Sequence, residues 1–245
     1  MELPTPVPAA EHDFHDGLAY MVWLPDTEPP WPGVVVIHGA GSCKENHCDF
    51  ARLASDFGWA VLAYDQRGHG ESLGEMSPAS VDDAVAMARL LARWEGVDPA
   101  RVCVRGSSLG GFVAIHAAAV SDRIAAAIAI CPPSERMLLE SMRSDPLEMR
   151  ADREALEPWL AEHDLREATA LIGSKPLIML HAKGDEEVPS DYSEELFENA
   201  VEPRKLILVP GGHHRSVQHD TELQTAALRW LERAFDAREG LLAPG

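Results

Sequence analysis

Long apolar runs are missing from this 245-residue sequence, and no stretch approaches the unbroken length that crosses a bilayer. The segment Met1 to Ala10 holds three prolines and no basic residue ahead of an apolar run, so neither a signal peptide nor an anchor is expected there. Positive charge is scarce. Against 40 Asp and Glu stand 21 Lys and Arg, a formal charge of −19 that repels polyphosphate backbones and anionic lipid surfaces, so neither nucleic acid nor membrane is expected as a partner. Cysteine is sparse too: Cys43, Cys48, Cys103 and Cys131 show no C-x-x-C pairing, and free thiols in a reducing cytoplasm are expected in place of a zinc, redox or disulfide site. Repeats, low-complexity tracts and charged tails are also lacking. A chain of this length fits one domain, residues 1–245, whose core needs neither disulfide nor structural metal.

What is present is an alternation of strand and helix patterns. Val34 to Ile37, Ala60 to Tyr64, Arg101 to Val104, Ile124 to Ile130, Leu177 to Leu180 and Leu206 to Val209 are runs apolar on both faces. Such runs mark strands buried on both sides, as in a parallel sheet covered by helices. Helical patterns fall between them, over Cys48 to Phe57, Val81 to Trp94, Leu109 to Val120, Tyr192 to Asn199 and Glu222 to Ala237. This order predicts an α/β, doubly wound, mostly parallel sheet. Leu18 to Leu24 suits an antiparallel edge hairpin. The segment 132–175 is too long for an ordinary connection, and its pattern (Leu138, Leu139, Met142, Leu147, Met149, Leu156, Trp159, Leu160) predicts a short helical cap inserted between two strands.

Directly after the Arg101 to Val104 run comes Gly106-Ser107-Ser108-Leu109-Gly110-Gly111, followed by a helix pattern. This is G-x-S-x-G between strand and helix. The turn strains the serine backbone and brings its second neighbours against other backbone, so both must be glycine. Ser108 meets that condition with Gly106 and Gly110; Ser107, flanked by Arg105 and Leu109, does not. The loop His38-Gly39-Ala40-Gly41 ends an adjacent strand, and the amides of Ala40 and Leu109 are the expected pair of donors to an oxyanion.

A serine hydroxyl needs a base to take its proton and a carboxylate to orient that base. Past Leu180 lies Asp185, in the glycine-bearing turn His181 to Pro189; past Val209 lie Pro210, Gly211, Gly212, His213 and His214. A carboxylate and a histidine at the tips of successive strands can meet. By contrast, Tyr64 to Ser72, catalytic in residue type, is read as a hydrogen-bonded turn supported by Asp65, Arg67 and Ser72.

These segments, His38 to Gly41, Tyr64 to Ser72, Gly106 to Gly111, Gly184 to Pro189 and Pro210 to His214, resemble the α/β-hydrolase superfamily over about residues 33–237. Within that superfamily the chain looks like the small esterases and the monoacylglycerol-lipase-like or serine-aminopeptidase-like hydrolases. The resemblance implies an α/β-hydrolase fold with its cap after the sixth strand, Ser108, Asp185 and His214 as triad, and Ala40 with Leu109 as oxyanion donors. It selects His214 over His213 by placing the base about five residues beyond the last apolar residue of its strand. The expected activity is cofactor-free, metal-free hydrolysis of a small-molecule carboxylic ester through an acyl-enzyme, with Met137, Leu138, Met142 and Trp159 of the cap lining the acyl pocket. Two alternatives stand beside it: amide or peptide hydrolysis, and a non-catalytic ligand-binding module on the same fold. Serine at the elbow counts against dienelactone, epoxide and haloalkane hydrolases, which would place cysteine or aspartate there.

Overall fold

The computed structural model describes residues 9, 11–144 and 149–242. Leu147 of the cap pattern and all of Met1 to Ala10 but Ala9 lie outside the described residues. Eight strands form one sheet: β1 (Glu11–His15), β2 (Leu18–Trp23), β3 (Trp31–Ile37), β4 (Ala60–Tyr64), β5 (Val97–Ser107), β6 (Ala126–Ile130), β7 (Leu177–Ala182) and β8 (Arg204–Val209). Their order is β1-β2-β4-β3-β5-β6-β7-β8. The β1–β2 hairpin is antiparallel and joins β4 antiparallel, while every pair from β4 to β8 is parallel. This is the α/β-hydrolase fold.

The strands are buried on both faces because their residues alternate between two cores. Val35 and Ile37 of β3, with Leu62 and Tyr64 of β4, face one core. Val34, Val36, Val61 and Ala63 face the other. The first core is covered by α2 (Ser80–Leu91), α3 (Leu109–Val120), α6 (Leu165–Leu171) and α7 (Asp191–Asn199). The second is covered by α1 (Cys48–Asp56) and α8 (Thr221–Leu242). Helix α3 is apolar nearly all round and almost wholly buried, which makes it the pillar of the sheet.

The insertion after β6 contributes α4 (Glu135–Ser144), α5 (Arg153–Glu162) and α6. The first two pack on each other, whereas α6 lies between α3 and α7, with Leu165 and Thr169 fully buried. The overhanging cap is therefore the α4–α5 pair, and α6 serves as the crossover helix into β7. Asp152 caps α5 by accepting from the amide of Ala155, and Asp164 caps α6 by accepting from that of Arg166. All four cysteines are free, and among the described residues no helix is long and apolar enough to cross a membrane.

The chain leaves β3 for β4 on one side, while β5 pairs on the other side of β3. The crevice at the carboxyl ends of β3 and β5 is thus the topological switch point where such sheets place ligands.

Candidate active site

Ser108 stands at the end of β5 with φ 52° and ψ −123°, outside the regions L-residues ordinarily occupy. Strain of this kind costs about 1–3 kcal/mol and persists only where its surroundings enforce it. Here the Ser108 amide donates to the carbonyl of Ile130 on β6 at 2.8 Å, and α3 begins at the next residue. A Cβ at Gly106 would collide with the carbonyl of Gly110, and one at Gly110 with the carbonyl of Ile37. The elbow therefore requires glycine on both sides of Ser108. The Ser107 side chain is buried, with no hydrogen-bond partner among the described residues for its hydroxyl.

The neighbouring loop is held by His38, which has no exposed surface. Its Nδ1 lies 2.7 Å from the carbonyl of Gly39 and its Nε2 2.9 Å from the Gln66 amide, so Nδ1 donates and Nε2 accepts. Burial pulls its pKa down to about 4, in keeping with a neutral ring. The Gln66 side chain donates back to the His38 carbonyl at 2.6 Å. Below it, Asp65 accepts from the amides of Lys44 and Glu71 and from Lys44 Nζ. Ser72 Oγ donates to the Asp65 carbonyl, and Arg67 makes a two-pronged pair with Asp83. The Tyr64 to Ser72 segment is thus a hydrogen-bonded turn that braces the Ala40 loop. Because Ile37 pairs with Gly106, Ala40 and Leu109 emerge side by side and border one cavity with Ser108. The Leu109 amide opens α3, where no preceding helical turn takes its hydrogen.

Asp185 and His214 meet because β7 and β8 are neighbours and their trailing loops are laced together. Lys183 donates to the Val209 carbonyl and Gly184 to that of Gly211. Asp185 Oδ1 accepts the amides of Glu187 and Val188, each at 2.9 Å. Its Oδ2 lies 2.8 Å from His214 Nδ1. Burial opposes ionisation of Asp185, yet hydrogen bonds from His181, His214 and the Val188 amide hold its carboxyl well below the usual carboxylate range. Burial likewise disfavours a charged His214, but the bond to Asp185 and the charges of Glu187 and Glu186 raise its pKa above the ordinary value. His214 is buried and His213 exposed, so the two side chains diverge.

Two cavities meet at Ser108. One, of about 300 Å³, is apolar and runs under the cap, and Met137, Leu138, Met142 and Trp159 are among the residues that line it. Met76, Phe112 and Met149 also line it; Met149 belongs to the cap pattern, while nothing in the local sequence marked Met76 or Phe112. The other, of about 340 Å³, is polar and bordered by Ser42, Asn46, His214, Arg215, Gln218 and His219. Glu187 and Ala40 border both. Sequence reasoning also missed His181, whose Nε2 lies 3.2 Å from Asp185 Oδ2. A histidine near the end of an otherwise apolar strand was the available signal.

The sequence model of the serine aminopeptidase family S33 matches residues 28–143. An uncharacterised protein of Mycobacterium tuberculosis, Rv2307c, is 29% identical over 208 residues, covering 81% of this chain and 68% of that one. The human protein ABHD12B is 28% identical over 228 residues, covering 85% and 61% respectively. Among solved structures, Est1E from Butyrivibrio proteoclasticus superimposes with a TM-score of 0.74 at 19% identity, over 93% of this chain and 99% of that one. The sheet order and the superposition on Est1E show that this chain has the α/β-hydrolase fold.

Proposed function

We propose that this protein is a serine esterase that hydrolyses carboxylic esters of small or medium acyl chains through an acyl-enzyme. The observation that carries this reading is the strained Ser108 opening onto an apolar cavity on one side and, on the other, onto a polar cavity bordered by His214, which is bonded to Asp185. Ser108 Oγ attacks the ester carbonyl as its proton passes to His214 Nε2, and the Ala40 and Leu109 amides receive the oxyanion. The carbon–oxygen bond to the alcohol then breaks as His214 returns that proton to the departing oxygen. Water, activated by the same histidine, releases the acid. Asp185 holds the ring with Nε2 free and stabilises its cation.

The two cavities orient the substrate. Since His214 must reach the leaving oxygen, the alcohol lies in the polar cavity that His214 borders, and the acyl chain takes the apolar one under the cap. The residues invoked are all side chains and amides of this chain, and no cofactor enters the scheme.

The test is fluorophosphonate treatment followed by peptide mass spectrometry, with a parallel panel of nitrophenyl esters and aryl amides. An adduct on Ser108 and faster turnover of esters support the proposal. An adduct on Ser107, or none, overturns the nucleophile and revives the ligand-binding module. Faster turnover of aryl amides favours amide hydrolysis, the reading that the aminopeptidase family match supports.

A further inference from the structure

His181, the last residue but one of β7, has no exposed surface and lies inside the protein behind Asp185. Its Nε2 lies 3.0 Å from the carbonyl of Val188 and 3.2 Å from Asp185 Oδ2. Both of those atoms only accept, so Nε2 carries the hydrogen and shares it between them. Nδ1 lies 2.7 Å from the hydroxyl of Ser193, itself fully buried in the first turn of α7. A neutral ring that accepts the Ser193 hydrogen at Nδ1 satisfies every polar group in this chain of contacts. The tautomer is therefore set from α7, on the far side of the ring from the reaction.

We propose that His181 is a positioning residue for Asp185, with Ser193 fixing its tautomer, so that the carboxylate reaches His214 in one orientation and with part of its charge already engaged. The inference rests on the serine hydrolase reading of Ser108, His214 and Asp185. The charged and titratable groups around this carboxylate are His181, His214, Glu186, Glu187 and Cys131. Cys131 directly follows β6, and its Sγ lies within 4.8 Å of the His181 and Asp185 ligand atoms. Burial pushes its thiol up, so it adds no charge there. With His181 donating through Nε2 and accepting at Nδ1, the trio reads as an orienting network in preference to a metal site.

The sign of the effect follows from the shared acceptor. Oδ2 serves both histidines, so removing the His181 donor leaves more negative charge on the oxygen that His214 uses. His214 then holds its proton more tightly, and the acid limb of kcat/KM, which requires neutral His214, moves to higher pH. Loss of the Ser193 hydroxyl acts in the same direction but less, because a hydrogen bond accepted at Nδ1 makes Nε2–H the stronger donor.

The experiment measures kcat/KM against pH on a nitrophenyl ester for the wild type, His181→Leu, His181→Gln and Ser193→Ala, with thermal melts of each. His181→Leu is expected to lose about tenfold to a hundredfold in kcat, the scale set by misplaced catalytic groups, with its acid limb displaced upward. Ser193→Ala shows a smaller displacement of the same sign, and His181→Gln, which restores an N–H donor, returns toward wild type. If His181→Leu does not fold, the Ser193→Ala profile decides. An unchanged acid limb, with activity that merely follows the folded fraction, overturns the assignment. Fluorophosphonate labelling of wild-type Ser108, scored separately, distinguishes failure of the hydrolase reading from failure of this one.

Discussion

Glu187 sets its carboxylate 3.7 Å from His214 Nε2, the ring nitrogen that the bond to Asp185 leaves free. That carboxylate is more than half exposed, so water screens it, yet it still raises the pKa of the proposed base. Glu187→Gln removes the charge while keeping the shape. Its acid limb of kcat/KM is expected at lower pH than in wild type, with kcat on the plateau changed less than tenfold, a modest change on the free-energy scale. A limb that stays in place, or moves upward, rules out Glu187 as a source of the raised value.

The doublet at the end of β8 gives a second expectation. His214 is buried against Asp185, while His213 is exposed and its amide donates to Ser216 Oγ. His214→Ala should cost several orders of magnitude in kcat, since members of a triad act as a unit, and His213→Ala should keep most of it. Steady-state kinetics on one ester suffices, and a reversal of the two results would transfer the role of base to His213.

The cap residues make a third. Met142 is buried in α4 and borders the apolar cavity. Met142→Ala lengthens that cavity and should raise the preference for longer over shorter acyl esters, with a stability loss of about 2–5 kcal/mol for the deleted side chain. A melt that falls with an unchanged acyl ranking shows that Met142 only seals the cap to the core.

Acid stability forms a fourth. Burial opposes the charge on both Asp65 and Asp185, but hydrogen bonds from Lys44 and the Glu71 amide to the first, and from His181 and His214 to the second, leave both carboxyls below their ordinary range. A carboxyl depressed in the folded state contributes stability that is present above its unfolded pKa, about 3.9 for Asp, and lost as pH falls below that value toward the folded one. Denaturant midpoints are therefore expected to drop below about pH 4. Asp65→Asn, which leaves the fully buried Lys44 ammonium less well paired, should flatten the Asp65 share of that drop and lower neutral-pH stability by about 3–5 kcal/mol. An acid profile unchanged in the variant would show that Asp65 is not a source.

The elbow itself supplies a fifth. Gly110→Ala drives a methyl group into the backbone of Ile37, which no side-chain rotation relieves. The cost should reach roughly 1–3 kcal/mol or more, with loss of Ser108 labelling in whatever folds. Normal labelling in a stable Gly110→Ala protein would contradict the steric basis for choosing Ser108.

Much of this was legible in the sequence because its signals are local. Runs such as Val34 to Ile37 are apolar at every position, and only a strand covered on both faces buries both sets of side chains; the structure divides them between two cores. Gly106 and Gly110 flank Ser108 at the spacing that elbow sterics demand, and the helix begins at the next residue. Asp185 and His214 each sit just past a strand, and successive strands were enough to predict that they meet.

Tertiary structure alone decided the rest, for reasons of distance along the chain. No local pattern tells that α6 docks between α3 and α7 while α4 and α5 overhang, because amphipathic helices look alike until a partner face is chosen. The apolar cavity draws Met76, Phe112 and Met142 from three separate segments, so its shape exists only once those segments pack. Likewise His181 and Ser193 are two residues on different elements until α7 folds onto β7 and closes a 2.7 Å contact between them. Sequence determined which residues can do chemistry and which elements carry them; packing decided which of their neighbours, contributed from elsewhere in the chain, tune that chemistry.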